Sequence, residues 1–225
     1  MVVSMSTNSS LDTSSLDHAK SMDRIYGVQR HFYDVTRAYY LLGRDRLLDA
    51  LQLKEGETAL EIGCGTGRNL VGACNRYPQA RFFGLDISSE MLRSAERNTM
   101  GANSITLALG DATHFDAKAM FGRKQFDCVY FSYTLSMIPD WQTALTQAFA
   151  VVKPGGSLHV VDFGDCARLP RWFKRGLYSW LAQFHVTPRL ALETALSELV
   201  CEDGGRIEVK RPFRSYSIIA KITKP

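Results

Sequence analysis

Three glycines and two carboxylates carry the clearest chemical signal in this sequence. Glu61-Ile62-Gly63-Cys64-Gly65-Thr66-Gly67 stands between a strand-like and a helix-like segment. Glycines there permit a tight turn and let the backbone approach a ligand closely, beside the positive end of a helix. Arg68 occupies the place where a dinucleotide fingerprint wants its third glycine, so the spacing favours a nucleoside other than NAD. Asp86 ends the next strand 19 residues after Gly67, where an acid can accept hydrogen bonds from both ribose hydroxyls. Asp111, in Gly110-Asp111-Ala112 after a third strand, is placed to reach an adenine amino group. The plain structural alternative is a helix-entry turn with no ligand, with Asp86 capping a helix ahead of Ser88. Cys64 reads as a small spacer.

These groups need a frame. From residue 58 onward strand-like and helix-like segments alternate at the pace of a parallel sheet. Strands are predicted at 58–63, 81–86, 104–109, 126–131, 156–162, 206–210 and 215–222, and helices near 67–77, 88–99, 140–152, 170–186 and 188–199. Only Arg211-Pro212-Phe213-Arg214 separates the last two strands, too short for a parallel crossover, so they should form an antiparallel hairpin. Residues 1–21 hold seven Ser and few large apolar side chains, and ordering them would bury too little to offset lost entropy. They are expected to be a disordered tail before one domain spanning 22–225. That tail has neither the basic and apolar regions of a secretory signal nor the Arg of a transit peptide.

Composition narrows the function classes. The 225 residues, 45% hydrophobic and 22% charged, are enough for one core. A net charge of +4 is too mild to hold nucleic acid through bulk charge, so no nucleic-acid partner is expected. Five cysteines without a C-x-x-C pair argue against a disulfide framework or a zinc site, and no metal is expected. A reducing, cytoplasmic setting fits. No apolar run is long enough to span a bilayer, so membrane contact would be peripheral.

In order along the chain, ALEIGCGTGRN, FFGLDIS, LALGDAT, FDCVYFSYTL and VVKPGGSLHVVD resemble the five motifs of the class I S-adenosylmethionine (SAM)-dependent methyltransferases, over about residues 58–222. The resemblance implies an α/β, Rossmann-like fold: a seven-stranded, mostly parallel sheet of order 3-2-1-4-5-7-6, strand seven antiparallel, with helices on both faces. It implies SAM as cofactor, S-adenosylhomocysteine as product, and binding by Glu61, Gly63, Gly65, Gly67, Asp86, Ile87, Asp111, Ala112 and Ser132.

The acceptor has to be sought outside those motifs. MDRIYGVQRHFYDVTRAYYLLGRDRLL, from Met22 to Leu48, is dense in Tyr and Arg. Aromatic rings hold a sulfonium or quaternary ammonium by cation–π attraction, and Arg grips a carboxylate with two prongs. Residues 22–54 are expected to form a helical lid, with Tyr26 and Tyr33 seven apart on one face and Arg30 beside them. A helix pair that merely packs its Tyr on the sheet is the alternative. Farther on, Phe173, Leu177, Trp180, Leu181 and Phe184 recur on one helical face, flanked by Arg168, Arg171, Lys174 and Arg175. That pattern suits either an interfacial helix meeting anionic lipid or a lid packed on the sheet, within a lid or lipid-facing region at 165–200.

Together these two stretches resemble the betaine-lipid methyltransferases, over about residues 22–222, through the Y-D-x-T-R-x-Y-Y-L-L-G-R-D string that nothing in cofactor binding demands. The resemblance implies conversion of diacylglyceryl-homoserine to diacylglyceryl-trimethylhomoserine at the inner face of a membrane, the lipid headgroup being the substrate. An upstream 3-amino-3-carboxypropyl transferase is then a candidate partner. Catalysis is assigned to Asp162, Tyr26 and Tyr33, with Asp165, His185 or solvent as alternative proton acceptors, and substrate binding to Arg30, Tyr40, Tyr133, Trp180 and His185. Phosphatidylethanolamine N-methylation, quinone C-methylation and a SAM-binding module without turnover are the competing functions.

Overall fold

A computed structural model describes residues 41–225. The chain enters through helix α1 (Arg44–Ala50). It then alternates β1 (Thr58–Ile62), α2 (Arg68–Arg76), β2 (Arg81–Asp86), α3 (Ser89–Asn98), β3 (Ile105–Leu109), α4 (Ala117–Phe121) and β4 (Phe126–Ser132). A single 3-10 turn (Leu135–Met137) leads into α5 (Trp141–Ala150) and the long β5 (Val152–Phe163). Helices α6 (Arg171–Ala182) and α7 (Leu192–Asp203) follow, and β6 (Arg206–Lys210) and β7 (Ser217–Thr223) close the chain.

All seven strands join one sheet in the order β3-β2-β1-β4-β5-β7-β6. Strand β7 runs antiparallel between β5 and β6, as the short connection requires. Every residue of β1 is buried, which a central parallel strand covered on both faces demands. Alternation in β4 sends Val129 and Phe131 to one core layer and Cys128 and Tyr130 to the other. The first layer is filled from α5 and α7 by Leu145, Phe149, Leu192 and Leu196, and the second from α1, α2 and α6 by Leu47, Leu70 and Leu181. Helix starts follow the sequence: Ser88, Asp116 and Asp140 cap α3, α4 and α5 by accepting backbone N–H bonds.

Three expectations are corrected. Strand five begins at Val152 rather than 156, and takes in the turn at Gly155 (φ 74°). The helix expected over 170–186 stops at Ala182, and the one expected over 188–199 runs instead over Leu192–Asp203. Tertiary bonds override periodicity in between: Thr187 N–H donates to Ser136 O at 2.8 Å, and Arg189 Nε–H donates to Leu135 O at 3.0 Å. The hairpin turn itself is left-handed, with Phe213, Arg214 and Ser215 at φ 53°, 57° and 64°.

Candidate active site

In an open parallel sheet the ligand crevice lies beyond the carboxyl ends of the strands, where the order reverses. Here β1 pairs with β2 on one side and β4 on the other, so the crevice must open above β1 and β4. A cavity of about 980 Å³, its open mouth included, lies there, lined by the loops after β1, β2, β3 and β4.

The glycine loop is clamped to the end of β2. Gly63 N–H and Cys64 N–H both donate to Leu85 O, at 2.7 and 3.0 Å, and Gly65 N–H donates to Asp86 Oδ2 at 2.7 Å. Gly63 has φ 71°, and a Cβ there would lie 2.1 Å from the Thr134 methyl, so the loops after β1 and β4 fit only without a side chain at 63. Gly67 serves packing instead: a Cβ would meet Ala95 of α3 at 3.2 Å. Asp86 Oδ1 also accepts from Ser88 N–H at 2.9 Å, and the carboxylate lines the cavity, while the cap of α3 is Ser88 itself. Asp111 is oriented by Thr113, whose N–H and Oγ1–H both donate to its Oδ1 at 2.8 Å.

Two polar atoms of the cavity wall remain to be satisfied. Ser132 Oγ and Asn69 Oδ1 are buried and have no hydrogen-bond partner among the described residues. Buried polar atoms in native structures are nearly always paired, so this wall suits a ligand rich in donors. Hydroxyls, an amino group and an ammonium, such as an aminoacyl nucleoside carries, meet that need.

Of the residues expected to bind cofactor, Gly63, Gly65, Asp86, Ile87, Asp111, Ala112 and Ser132 line the cavity. Gly67 and Glu61 are not among the lining residues. Glu61 lies fully buried behind the wall, its Oε1 accepting from Asn69 Nδ2 at 2.7 Å and its Oε2 from the Tyr130 hydroxyl at 3.3 Å. The first of these bonds orients Asn69, which lines the cavity. Burial pushes its carboxyl up to about 8, and nearby Asp86 adds to this, against the pull of Asn69, Tyr130 and Arg44. A folded-state value above the unfolded 4.5 means that native protein holds the proton more tightly. Stability contributed by this group is therefore complete below pH 4.5 and is lost as pH rises to about 8. Glu61→Gln, which cannot ionise, should gain unfolding free energy relative to the parent chain over that interval, measured by urea melts at stepped pH. Parallel profiles for the two proteins would contradict this.

The expected catalytic and substrate residues fare differently. Asp162 is 0% exposed and does not line the cavity. Its Oδ2 accepts from Ser136 N–H at 2.9 Å and its Oδ1 from Phe163 N–H at 2.8 Å, so it holds the loop after β4 rather than facing an acceptor. Burial raises its carboxyl to about 6, against the pull of those N–H groups and Arg189. Tyr133 is corrected too: at φ 58° its ring turns into the second core layer against Phe163, and its hydroxyl donates to Leu42 O. Trp180 stacks edge-on with Phe184 at 5.1 Å in that same layer, and His185 is exposed at a left-handed turn; neither lines the cavity. Tyr26, Arg30, Tyr33 and Tyr40 lie outside the described residues.

Sequence reasoning missed Leu41, Arg44, Asn69, Met91, Thr134 and Met137, which share the cavity wall. Leu41 and Arg44 end the Tyr- and Arg-rich string, and that string was the signal available for them.

Comparison with known proteins agrees with this geometry. Residues 59–156 match the family model described as a methyltransferase domain. A demethylmenaquinone methyltransferase of Staphylococcus carnosus is 34% identical over 114 residues, covering 50% of this chain and 46% of the relative. The chain thus spans about half the length of that relative. One of Geobacillus stearothermophilus is 27% identical over 220 residues, 92% of this chain and 86% of the other. The solved Haemonchus contortus phosphoethanolamine N-methyltransferase 2, in complex with SAM, superposes with a TM-score of 0.63 at 18% identity, over 81% of this chain and 52% of that one. The fold is the Rossmann-like fold of the class I methyltransferases.

Proposed function

We propose that this chain is a SAM-dependent N-methyltransferase whose acceptor is the amine of diacylglyceryl-homoserine, taken to the trimethyl state. Gly63, Gly65, Asp86, Asp111, Asn69 and Ser132 are the residues that would hold the cofactor. Bound there, it supplies an electrophilic methyl group on a sulfonium. The chain's own work is to hold the acceptor nitrogen in line with that methyl and to keep water out, and proximity alone can be worth about 7–11 kcal/mol.

The single observation that carries the acceptor assignment is the placement of Leu41 and Arg44. Both lie in the string that resembles the betaine-lipid enzymes, and both line the cavity. Arg44 is a cation suited to a carboxylate, which homoserine has and ethanolamine lacks. Met91 and Met137 give the same wall a polarisable apolar patch that tolerates a cation growing more methylated. In each transfer the amine lone pair forms the nitrogen–carbon bond as the carbon–sulfur bond breaks, and sulfur keeps that electron pair. Because Asp162 is sealed behind Ser136, the proton freed from nitrogen passes to solvent at the open mouth.

A second reading, C-methylation of a lipophilic quinone, is favoured by the demethylmenaquinone methyltransferases among the relatives. Direct competition decides between them. With methyl-labelled SAM and equal amounts of diacylglyceryl-homoserine, phosphatidylethanolamine and a demethylated menaquinone, label should enter the homoserine lipid. Preferential labelling of the quinone or of phosphatidylethanolamine would overturn the acceptor assignment and leave methyl transfer standing.

A further inference from the structure

Helix α6 was expected to present its apolar face either to lipid or to the sheet. The structure gives that face to the sheet: Leu181 is buried, and Phe173, Leu177, Trp180 and Phe184 pack on the second core layer. What remains outward is a different stripe. At 100° per residue Arg171, Trp172, Arg175 and Ser179 share one side of the helix, and all four are exposed. Trp172 is 75% exposed, although a ring of that size ordinarily finds cover, and Leu190 beyond the helix is 63% exposed. We propose that this outward stripe of α6, with Trp172 between its cations, is a docking surface for an anionic lipid bilayer. It deepens the lipid-acceptor reading, on which it rests for the reason a bilayer is met at all.

Charge complementarity argues for that occupant. Arg171, Lys174 and Arg175 are spaced i, i+3 and i+4, a like-charge arrangement that weakens a helix in water. None of Arg168, Arg171 and Arg175 is in a salt bridge among the described residues, and Asp165, the one acid between residues 164 and 192, accepts from Ala167 N–H at 3.0 Å. A concentration of uncompensated cations around an amphipathic ring is what the headgroup zone of an anionic leaflet complements: the indole sits at the interface and the guanidinium groups meet phosphate. A soluble acidic protein would complement the cations too, and the dependence of binding on anionic lipid in the test below separates the two occupants. No helix among the described residues is long and apolar enough to cross a membrane, so contact of this kind would be at the surface.

The same helix reaches the active site. From Phe173 through Leu177 and Trp180 to Phe184 its inner face is a continuous apolar seam, and Phe184 and Met137 pack on Met91 of the cavity wall. Docking through Trp172 therefore anchors the element whose other end supports the pocket.

The test is sedimentation of the full chain with phosphatidylcholine vesicles containing increasing phosphatidylglycerol, at low and high salt. Binding should rise with the anionic fraction and fall with salt. Arg171→Ala and Arg175→Ala should each weaken it about fivefold, Arg171→Lys should restore it, and Trp172→Ala should weaken it without changing the salt dependence. The blue shift of tryptophan emission on vesicles should be present in the parent chain and lost in Trp172→Phe. Methylation of a short-chain, monomeric homoserine lipid should be unaffected by these variants, while methylation of the vesicle-borne lipid slows. Failure of the parent chain to sediment with anionic vesicles at low salt, or binding indifferent to Trp172→Ala, overturns the proposal. Vesicle binding that follows these rules, with neither acceptor methylated, supports the docking surface and overturns the substrate reading instead.

Discussion

Replacing Gly63 by alanine should cost the fold about 2–5 kcal/mol, a left-handed alanine accounting for about 1–2 and overpacking for about 1–3. Gly63 holds φ 71°, and the new Cβ would lie 2.1 Å from the Thr134 methyl and 2.8 Å from its hydroxyl oxygen. The contact cannot open cheaply, because Thr134 Oγ1 donates to Gly63 O at 3.3 Å and the loop backbone is tied to Leu85. Gly101→Ala is the comparator, since it has φ 87° with nothing within 4 Å of its Cβ and so isolates the backbone term. Urea melts should show Gly63→Ala well below Gly101→Ala, with Thr134→Ala in the same chain recovering part of the loss. Equal midpoints for the two glycine variants would mean that the loops after β1 and β4 are not interlocked as described.

Asp86→Ala should weaken SAM binding by about 1.5–3 kcal/mol, more than tenfold, from the loss of two ribose hydrogen bonds. The structure adds a reason for the upper part of that range. The same carboxylate accepts from Gly65 N–H and Ser88 N–H, so its removal also frees the glycine loop that frames the cavity. Asp86→Asn keeps one acceptor oxygen and should fall between. Titration calorimetry reads all three, and unchanged affinity in Asp86→Ala would remove the cofactor from this crevice.

The antiparallel closing strand and the glycine loop were legible because each follows from a local rule: connection length, strand–turn–helix spacing, an acid at a strand end; the strand order came only with the resemblance to the class I methyltransferases. Asp111 was legible for the same reason, standing where β3 finishes, whereas Ser132 came only with the resemblance. Tyr133 was not, because extended backbone would have carried the chain on past Ser132, and the left-handed φ at 133 turns the ring into the core instead. Asp162 shares the strand-end position of Asp86, yet the loop carrying Ser136 folds over it, a contact between residues 26 apart that no spacing rule contains. Periodicity marked α6 as amphipathic without saying which face would find a partner. Only packing distinguished the Leu181 side, which the sheet covers, from the Trp172 side.

The central claim is methyl transfer from SAM to the nitrogen of a homoserine lipid, and product analysis tests it most directly. Purified chain would be incubated with methyl-labelled SAM and diacylglyceryl-homoserine in mixed vesicles, and the extracted lipid examined by mass and by fragmentation of the headgroup. The account predicts label on the headgroup nitrogen, advancing through one and two methyl groups to three, with one S-adenosylhomocysteine released per methyl. SAM bound in the crevice with no label on that nitrogen would contradict it.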